Sequence, residues 1–446
     1  MKATAEPLEG NKVKLSVEVD EAEFDKAVDA AFRRLAQEIK VDGFRPGKAP
    51  RRVLEAKLGP GVAREEAMRV ALPGYYENAL RETDTDAIAQ PEIDIVGGQE
   101  NGPLAFDAVV EIRPVITVPG YNSLKVTIPN PEPSDEDITS QIDRLRNQGA
   151  ELNDVDRDCR SGDAVVIDIH GAQNGEDVPG LDATDLTYEV GSATLVDGLD
   201  DAIAGAKAGD VVNYSVEVPG HEGEVDFRVL VKAVKEKVLP EVTDEWASEV
   251  SEFDTVDELR ADLVTRIAGV RRANAQMALR SGTAQALAEL VAEDAPDALI
   301  DAEVSRRVED MAHRLSHQGA TLAQWLEATG QTPDDFLAVH RADAVGNVKV
   351  DLALRAVVTA EGIEISDEEL DEELTKVAEG ANEKPAKLRK QLEANGVLPM
   401  VKLDLSKAKA LQWLIDHAEV VDEDGKAIDV AALTAAPEEE DLGEDE

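Results

Sequence analysis

Five prolines, Pro114, Pro119, Pro129, Pro131 and Pro133, fall between Arg113 and Pro133. Each lacks a backbone donor and fixes φ, so this stretch cannot be the interior of a helix or of a central strand. It predicts a linker able to span distance as extended chain. At 446 residues the chain is too long for a single core. The linker therefore separates domains, and the patterning differs on its two sides.

Before the linker the pattern is α+β. NKVKLSVEV alternates, with Val13, Leu15, Val17 and Val19 on one face, and predicts a half-buried strand. Asp20 is placed as an N-cap with Glu23 at the capping-box position. Phe24, Val28, Ala31, Leu35 and Ile39 give the following helix its apolar stripe. RRVLEAKL predicts a short helix running from Pro50 to Gly59-Pro60, and a third helix over 61–82 carries Met68, Val70, Leu72, Tyr75, Tyr76 and Leu80. Leu104, Phe106, Ala108, Val110 and Ile112 are in phase along LAFDAVVEIR, a second strand. Residues 1–113 are thus expected to form one sheet-and-helix domain.

Linker and helix together take 114–150, with Ser134 and Asp137 opening a helix that carries Ile138, Ile142 and Leu145. Over 151–239 the segments DAVVIDIHG, LTYEVG, VVNYSVEV and DFRVLVKAV are strand-like, with one short helix in LVDGLDDAIAGAKAGD, so a small antiparallel sheet wrapped on a single helix is expected. From Pro240 to 432 everything is expected to be helical, beginning with a run from Glu245 to Glu293 and continuing at 296–317, 320–329, 333–361, 366–378, 384–395 and 399–418. The tail 433–446 ends in PEEEDLGEDE, which is too acidic to fold and predicts disorder.

Charge and composition exclude several function classes. A formal net charge of −48 argues against general nucleic-acid affinity, which needs clustered Lys and Arg. The single cysteine, Cys159, allows no intrachain disulfide. The N-terminus lacks an apolar run, and no stretch approaches the roughly 20 apolar residues of a membrane span. A soluble cytoplasmic protein with no membrane partner is expected. His313 and His317 stand at i, i+4, but without the H-E-x-x-H pattern that would point to a metal. Arg160 follows Cys159, with no histidine beside it to make a nucleophile. No glycine-rich nucleotide motif occurs. Among 94 acids some carboxylate pairs fall close by chance, so they mark solvated faces. No metal and no cofactor are expected.

One stretch resists a structural reading. GFRPGKAP, Gly43 to Pro50, is a loop by its glycines and prolines. Between Arg33 and Arg64 nine cations (Arg33, Arg34, Lys40, Arg45, Lys48, Arg51, Arg52, Lys57, Arg64) face three acids (Glu38, Asp42, Glu55), a local excess of six. Phe44 at a turn is costly unless it docks into a partner. Arg45 brings a planar fork and Lys48 a point charge, both suited to phosphate or to an acidic protein surface.

This stretch resembles the ribosome-docking signature of the bacterial trigger factor family, G-F-R-x-G-x-x-P, at its five fixed positions Gly43, Phe44, Arg45, Gly47 and Pro50. The resemblance extends over almost the whole chain in domain order. It implies a multidomain α+β protein: an N-terminal sheet-and-helix ribosome-binding domain, an FKBP-like antiparallel sheet on one helix, and an all-α C-terminal chaperone domain. It implies docking beside the nascent-chain exit tunnel, on ribosomal protein and RNA. Nascent and unfolded polypeptides would be held there until they fold. A homodimer off the ribosome is compatible with it.

The resemblance also implies a prolyl isomerase pocket. Matched by motif, that pocket falls on Ile169, Leu186, Leu195, Val196, Leu199 at its floor, and Phe227, with His221 nearby. The family has aromatic rings at several of these positions, whereas this chain has mostly aliphatic side chains. Isomerase activity is left open. Two alternatives stand beside the main reading: an FKBP-type isomerase whose helical region dimerises it, and a holdase that works without the ribosome.

Overall fold

The computed structural model describes the chain except residues 40–43, 46–49, 60, 174, 219–222, 382 and 436–446. It falls into two units, Met1–Ile128 joined with Ala278–Glu446, and Pro129–Met277.

The first unit begins with strands β1 (Lys2–Leu8) and β2 (Lys12–Val19), helices α1 (Glu21–Glu38), α2 (Arg51–Leu58) and α3 (Val62–Glu82), and strands β3 (Glu92–Gly97) and β4 (Leu104–Glu111). The sheet runs β1-β2-β4-β3, antiparallel throughout. Val13, Leu15, Val17 and Val19 share a core with Leu104, Phe106, Ala108 and Val110, packed against Phe24, Val28, Phe32, Leu35, Leu54 and Met68 of the helices. β1 carries no apolar alternation; it is an edge strand exposed along most of its length, held by backbone pairing, with Pro7 tolerated at the edge.

Three local expectations need correction. Asp20 stands at the N-cap of α1, but its side chain caps nothing, and Glu23 accepts from the amino group of Met1 at 3.2 Å instead. Val70 faces solvent, not the core. The proline-rich segment is extended yet not a free span. Ile116, Val118 and Leu124 are buried in the helical core, and β5 (Lys125–Thr127) pairs with a strand near the C-terminus.

The second unit opens with α4 (Asp135–Gln148), closed by the expected Ser134–Asp137 capping box. There follow β6 (Glu151–Asp154), β7 (Ala164–Gln173), β8 (Glu176–Asp177), β9 (Ala183–Glu189), the short α5 (Leu199–Ile203), β10 (Val211–Glu217) and β11 (Glu224–Val238). The sheet has the order β10-β11-β7-β8, with β6 on β11 and β9 on β7, all antiparallel. α4 then packs with α6 (Asp244–Val250) and the start of α7 (Val256–Glu289) around Ile142, Trp246, Ala247 and Leu259. The run expected from Glu245 to Glu293 is therefore two helices, because the backbone turns extended at Ser251 (φ −146°, ψ 179°), whose hydroxyl donates to Ala247 O at the end of α6.

Asp163 is buried at the start of β7 and accepts from both Arg157 Nη1 and Nη2, at 2.6 and 2.9 Å, and from Arg160 N. The Arg157 guanidinium holds this carboxyl below its usual range, against the opposing effect of burial. A depressed folded-state pKa contributes stability that is complete above the unfolded value of about 3.9 and is lost as pH falls through the folded one. Asp163→Asn is expected to lower the melting temperature at pH 7, with the gap to wild type narrowing towards pH 3. Thermal melts across that range check it; a gap constant with pH would remove the pair as its source.

Returning to the first unit, α7 continues into α8 (Asp297–His317), α9 (Leu322–Thr329), α10 (Pro333–Glu361), α11 (Asp367–Gly380), α12 (Pro385–Ala394) and α13 (Leu398–His417), then β12 (Glu419–Val421) and α14 (Val430–Thr434). Thr321, Thr332 and Ser366 cap α9, α10 and α11 by accepting the N–H three residues on. The region past Pro240 is thus helical except for β12, which pairs in parallel with β5. Gly282 makes room beneath that pair: a Cβ there would stand 2.9 Å from Val126 Cγ1. Leu433, placed in the acidic tail by sequence, is buried in α14, and the rest of the tail from 436 lies outside the described residues.

Candidate functional site

The loop between α1 and α2 has both ends fixed. α1 closes with Ile39 N donating to Leu35 O at 2.9 Å, and Pro50 O accepts from Val53 N and Leu54 N to start α2. Arg51, one residue into α2, reaches back to α1: its Nη1 donates to Asp29 Oδ1 at 2.9 Å and its guanidinium lies 4.7 Å over the Phe32 ring. Leu54 anchors α2 in the core. Of the six loop residues singled out by sequence, Phe44, Arg45 and Pro50 are described and all three are exposed, Phe44 at 40%. Gly43, Gly47 and Lys48 lie outside the described residues.

The cations around this loop separate into two kinds. Arg33, Arg34, Arg45, Arg51, Arg52 and Lys57 are exposed. Arg33, Arg45 and Arg52 make no ion pair among the described residues, while Arg34 reaches Glu66 at 3.4 Å. Arg64 does not belong with them. It is 8% exposed, donates from Nε to Gly98 O at 2.9 Å and from Nη2 to Gly102 O at 2.6 Å, and lies over the Phe24 ring at 4.9 Å. Counting it in the basic surface was an error of sequence proximity, since its charge is spent on the β3–β4 turn.

In the second unit, Ile169, Leu199 and Phe227 are buried in one cluster, with Leu186 and Val196 packed half-buried against it. Leu195 stands apart at 44% exposure. His221 lies outside the described residues. Two further residues, outside the residues singled out by sequence, join this cluster. Tyr214 stacks on Phe227, ring centroids 5.3 Å apart at 18°, and its hydroxyl is buried without a partner among the described residues. Burial pushes its phenol up to about 12. The signal was present in VVNYSVEV, where Tyr214 falls in phase with Val212 and Val216. Gly171, opposite Phe227 in the β7–β11 ladder, leaves space for that ring: a Cβ would sit 3.0 Å from Phe227 Cε1 and 2.8 Å from Leu181 Cβ.

Cys159 is buried and its Sγ donates to Ile203 O at 2.7 Å. The His313 and His317 rings meet edge-on at 4.6 Å. Among the described residues no three His, Cys, Asp or Glu side chains could hold a metal ion, and no helix is long and apolar enough to cross a membrane.

Two family models match the chain. Residues 1–145 match that described as bacterial trigger factor protein (TF), and residues 255–416 that described as its C-terminus. Among curated relatives, the trigger factor of Parafrankia sp. (strain EAN1pec) is 36% identical over 96% of this chain and 85% of its own length. That of Saccharopolyspora erythraea is 34% identical, covering 100% of this chain and 96% of the relative. The trigger factor of Rhodococcus jostii (strain RHA1) is 38% identical over 97% and 94%.

Proposed function

The chain belongs to the bacterial trigger factor family, whose members are ribosome-associated chaperones, and from that premise we propose that the Phe44–Arg45 tip is its ribosome contact. The observation that carries this is an exposed aromatic ring beside a guanidinium with no ion pair among the described residues, on a loop whose two ends are pinned to α1 and α2. A ring of 40% exposure gains by entering an apolar cleft, and the flanking cations suit ribosomal RNA and acidic ribosomal protein beside the exit tunnel. Gly43, Gly47, Lys48 and Pro50 complete the loop in this reading. The helical body then holds the emerging chain. Leu337, Val339, Val377 and Met400 are exposed there, so its client-facing surface is mainly aliphatic. Cytoplasmic location and a homodimer off the ribosome fit the same reading.

Co-sedimentation with purified ribosomes over a salt series tests it. The chain is expected to pellet at low salt and to leave the pellet steeply as salt rises, as phosphate contacts do. A chain that stays in the supernatant at every salt concentration would sink the proposal.

The Tyr214 hydroxyl, buried without a partner among the described residues, favours a second activity, prolyl isomerisation in the second unit. An uncommitted donor in a dry site costs about 1–3 kcal/mol, a cost that a bound substrate carbonyl would relieve. Ile169, Leu186, Val196, Leu199 and Phe227 with Tyr214 would enclose the X-Pro bond, whose rotation faces a barrier of about 18–20 kcal/mol. Leu195, being exposed, would form the rim. A proline-peptide assay is expected to show catalysis that falls at least about tenfold in Phe227→Ala, equivalent to about 1.4 kcal/mol. A wild-type rate equal to background would make the domain a scaffold.

A further inference from the structure

In the first unit, α10 faces the proline-rich strap across a cavity of about 600 Å³, within the roughly 300–1,000 Å³ of small-molecule sites. Leu352, Ala356 and Val357 of α10 and Ile116 and Val118 of the strap line it with hydrocarbon. The space exists because α10 offers small side chains, Ala356, Thr359 and Ala360, where it meets the strap.

Charge enters this wall in one place. Arg113 and Arg355 line the cavity beside one lining acid, Asp86, and both also reach Asp351. Arg113 donates from Nε to Asp86 Oδ2 at 2.8 Å and from Nη1 to Asp351 Oδ2 at 3.3 Å. Arg355 donates from Nε to Asp351 Oδ2 at 2.8 Å, and its Nη1 lies 3.8 Å from Asp86 Oδ2. Lys407 takes the other oxygen of Asp351. Nη2 of both guanidiniums is therefore left without a hydrogen bond among the described residues, although each side chain is only about a quarter exposed. Two of the cavity's hydroxyls are committed internally: Thr359 Oγ1 donates to Arg355 O, and the Tyr121 hydroxyl donates to Glu361, while the exposed Thr117 hydroxyl has no hydrogen bond among the described residues.

We infer that this cavity binds a small apolar carboxylate, an alkyl chain with one acid head. The chain lies on the Leu352–Ala356–Val357 wall, and the head accepts from the Nη2 groups of Arg113 and Arg355. A polypeptide suits the cavity less well. It would bring a run of backbone amides to a wall that is mostly hydrocarbon, whereas an alkyl carboxylate brings only the one group that the spare guanidinium donors match.

Calorimetric titration of the full chain with octanoate and with 1-octanol tests this. Octanoate is expected to bind at one site, at least about tenfold tighter than the alcohol. Affinity should rise about fourfold per added CH₂ from hexanoate to decanoate, the factor equivalent to about 0.8 kcal/mol. Ala356→Phe, which fills the cavity, should abolish binding. Ala360→Phe should do the same from an exposed position where folding is not at risk, with melting curves confirming that both variants are folded. Equal affinity for acid and alcohol, or unchanged titrations in the folded variants, would overturn the inference. So would displacement of octanoate by an unfolded polypeptide, which would assign the cavity to client chains.

Discussion

Replacing Phe44, Arg45 and Lys48 together by alanine is expected to release the chain from ribosomes and leave its melting curve unchanged. Burying a phenylalanine ring in a partner's cleft contributes about 1.5–3 kcal/mol, and a hydrogen bond to a charged group about 1.5–3 kcal/mol when shielded from water. Even with partial exposure the three losses together exceed about 3 kcal/mol, on the order of a hundredfold in affinity. Stability should not follow, because Phe44 and Arg45 are exposed and neither belongs to the N-terminal core. Co-sedimentation beside a thermal melt reads both quantities. Pelleting equal to wild type would remove this loop from the docking surface and return the protein to the free holdases.

Arg64→Ala should do the reverse. This guanidinium closes the β3–β4 turn by holding Gly98 O and Gly102 O, and it packs on Phe24, which is fully buried. Removing it strips two carbonyls of a charged donor and opens a gap beside the ring, at a cost of about 3–5 kcal/mol. That is a large share of the roughly 5–15 kcal/mol that keeps a domain folded. Lysine should not rescue it, since a single ammonium lacks the fork that spans two acceptors. Amide exchange along β3 and β4 in the full chain is the direct readout, with Arg33→Ala or Arg52→Ala as exposed controls within about 0.5 kcal/mol of wild type. Protection in Arg64→Ala equal to that of the controls would mean the turn holds itself.

These two experiments also mark how far sequence reading reached. Arg45 and Arg64 counted alike in a local charge excess, yet one faces solvent and the other is buried in a turn that lies 34 residues further on. Similarly, Val70 looked like core in the α3 pattern but points outward, because α1, the main neighbour of α3, covers only one face of that helix. Leu195 falls within the pocket motif and yet faces solvent, whereas Tyr214, which the motif passed over, stacks on Phe227. The edge strand β1 has no sidedness to read, since its stability comes from pairing with β2.

The sequence by itself determined what depends on neighbours along the chain. The alternation of β2 and β4, the stripe of α1 and the capping box at Ser134 all follow from residue spacing and backbone preference. Only the tertiary structure decided what depends on partners far away in sequence. It turned the proline-rich segment from a free span into a packed strap paired with β12. It sent Arg64 inward, and it put Arg113 and Arg355 beside a cavity with donors to spare. Backbone preference acts over a few residues, whereas the direction of a long side chain is set by the acceptors and the space that folding brings to it.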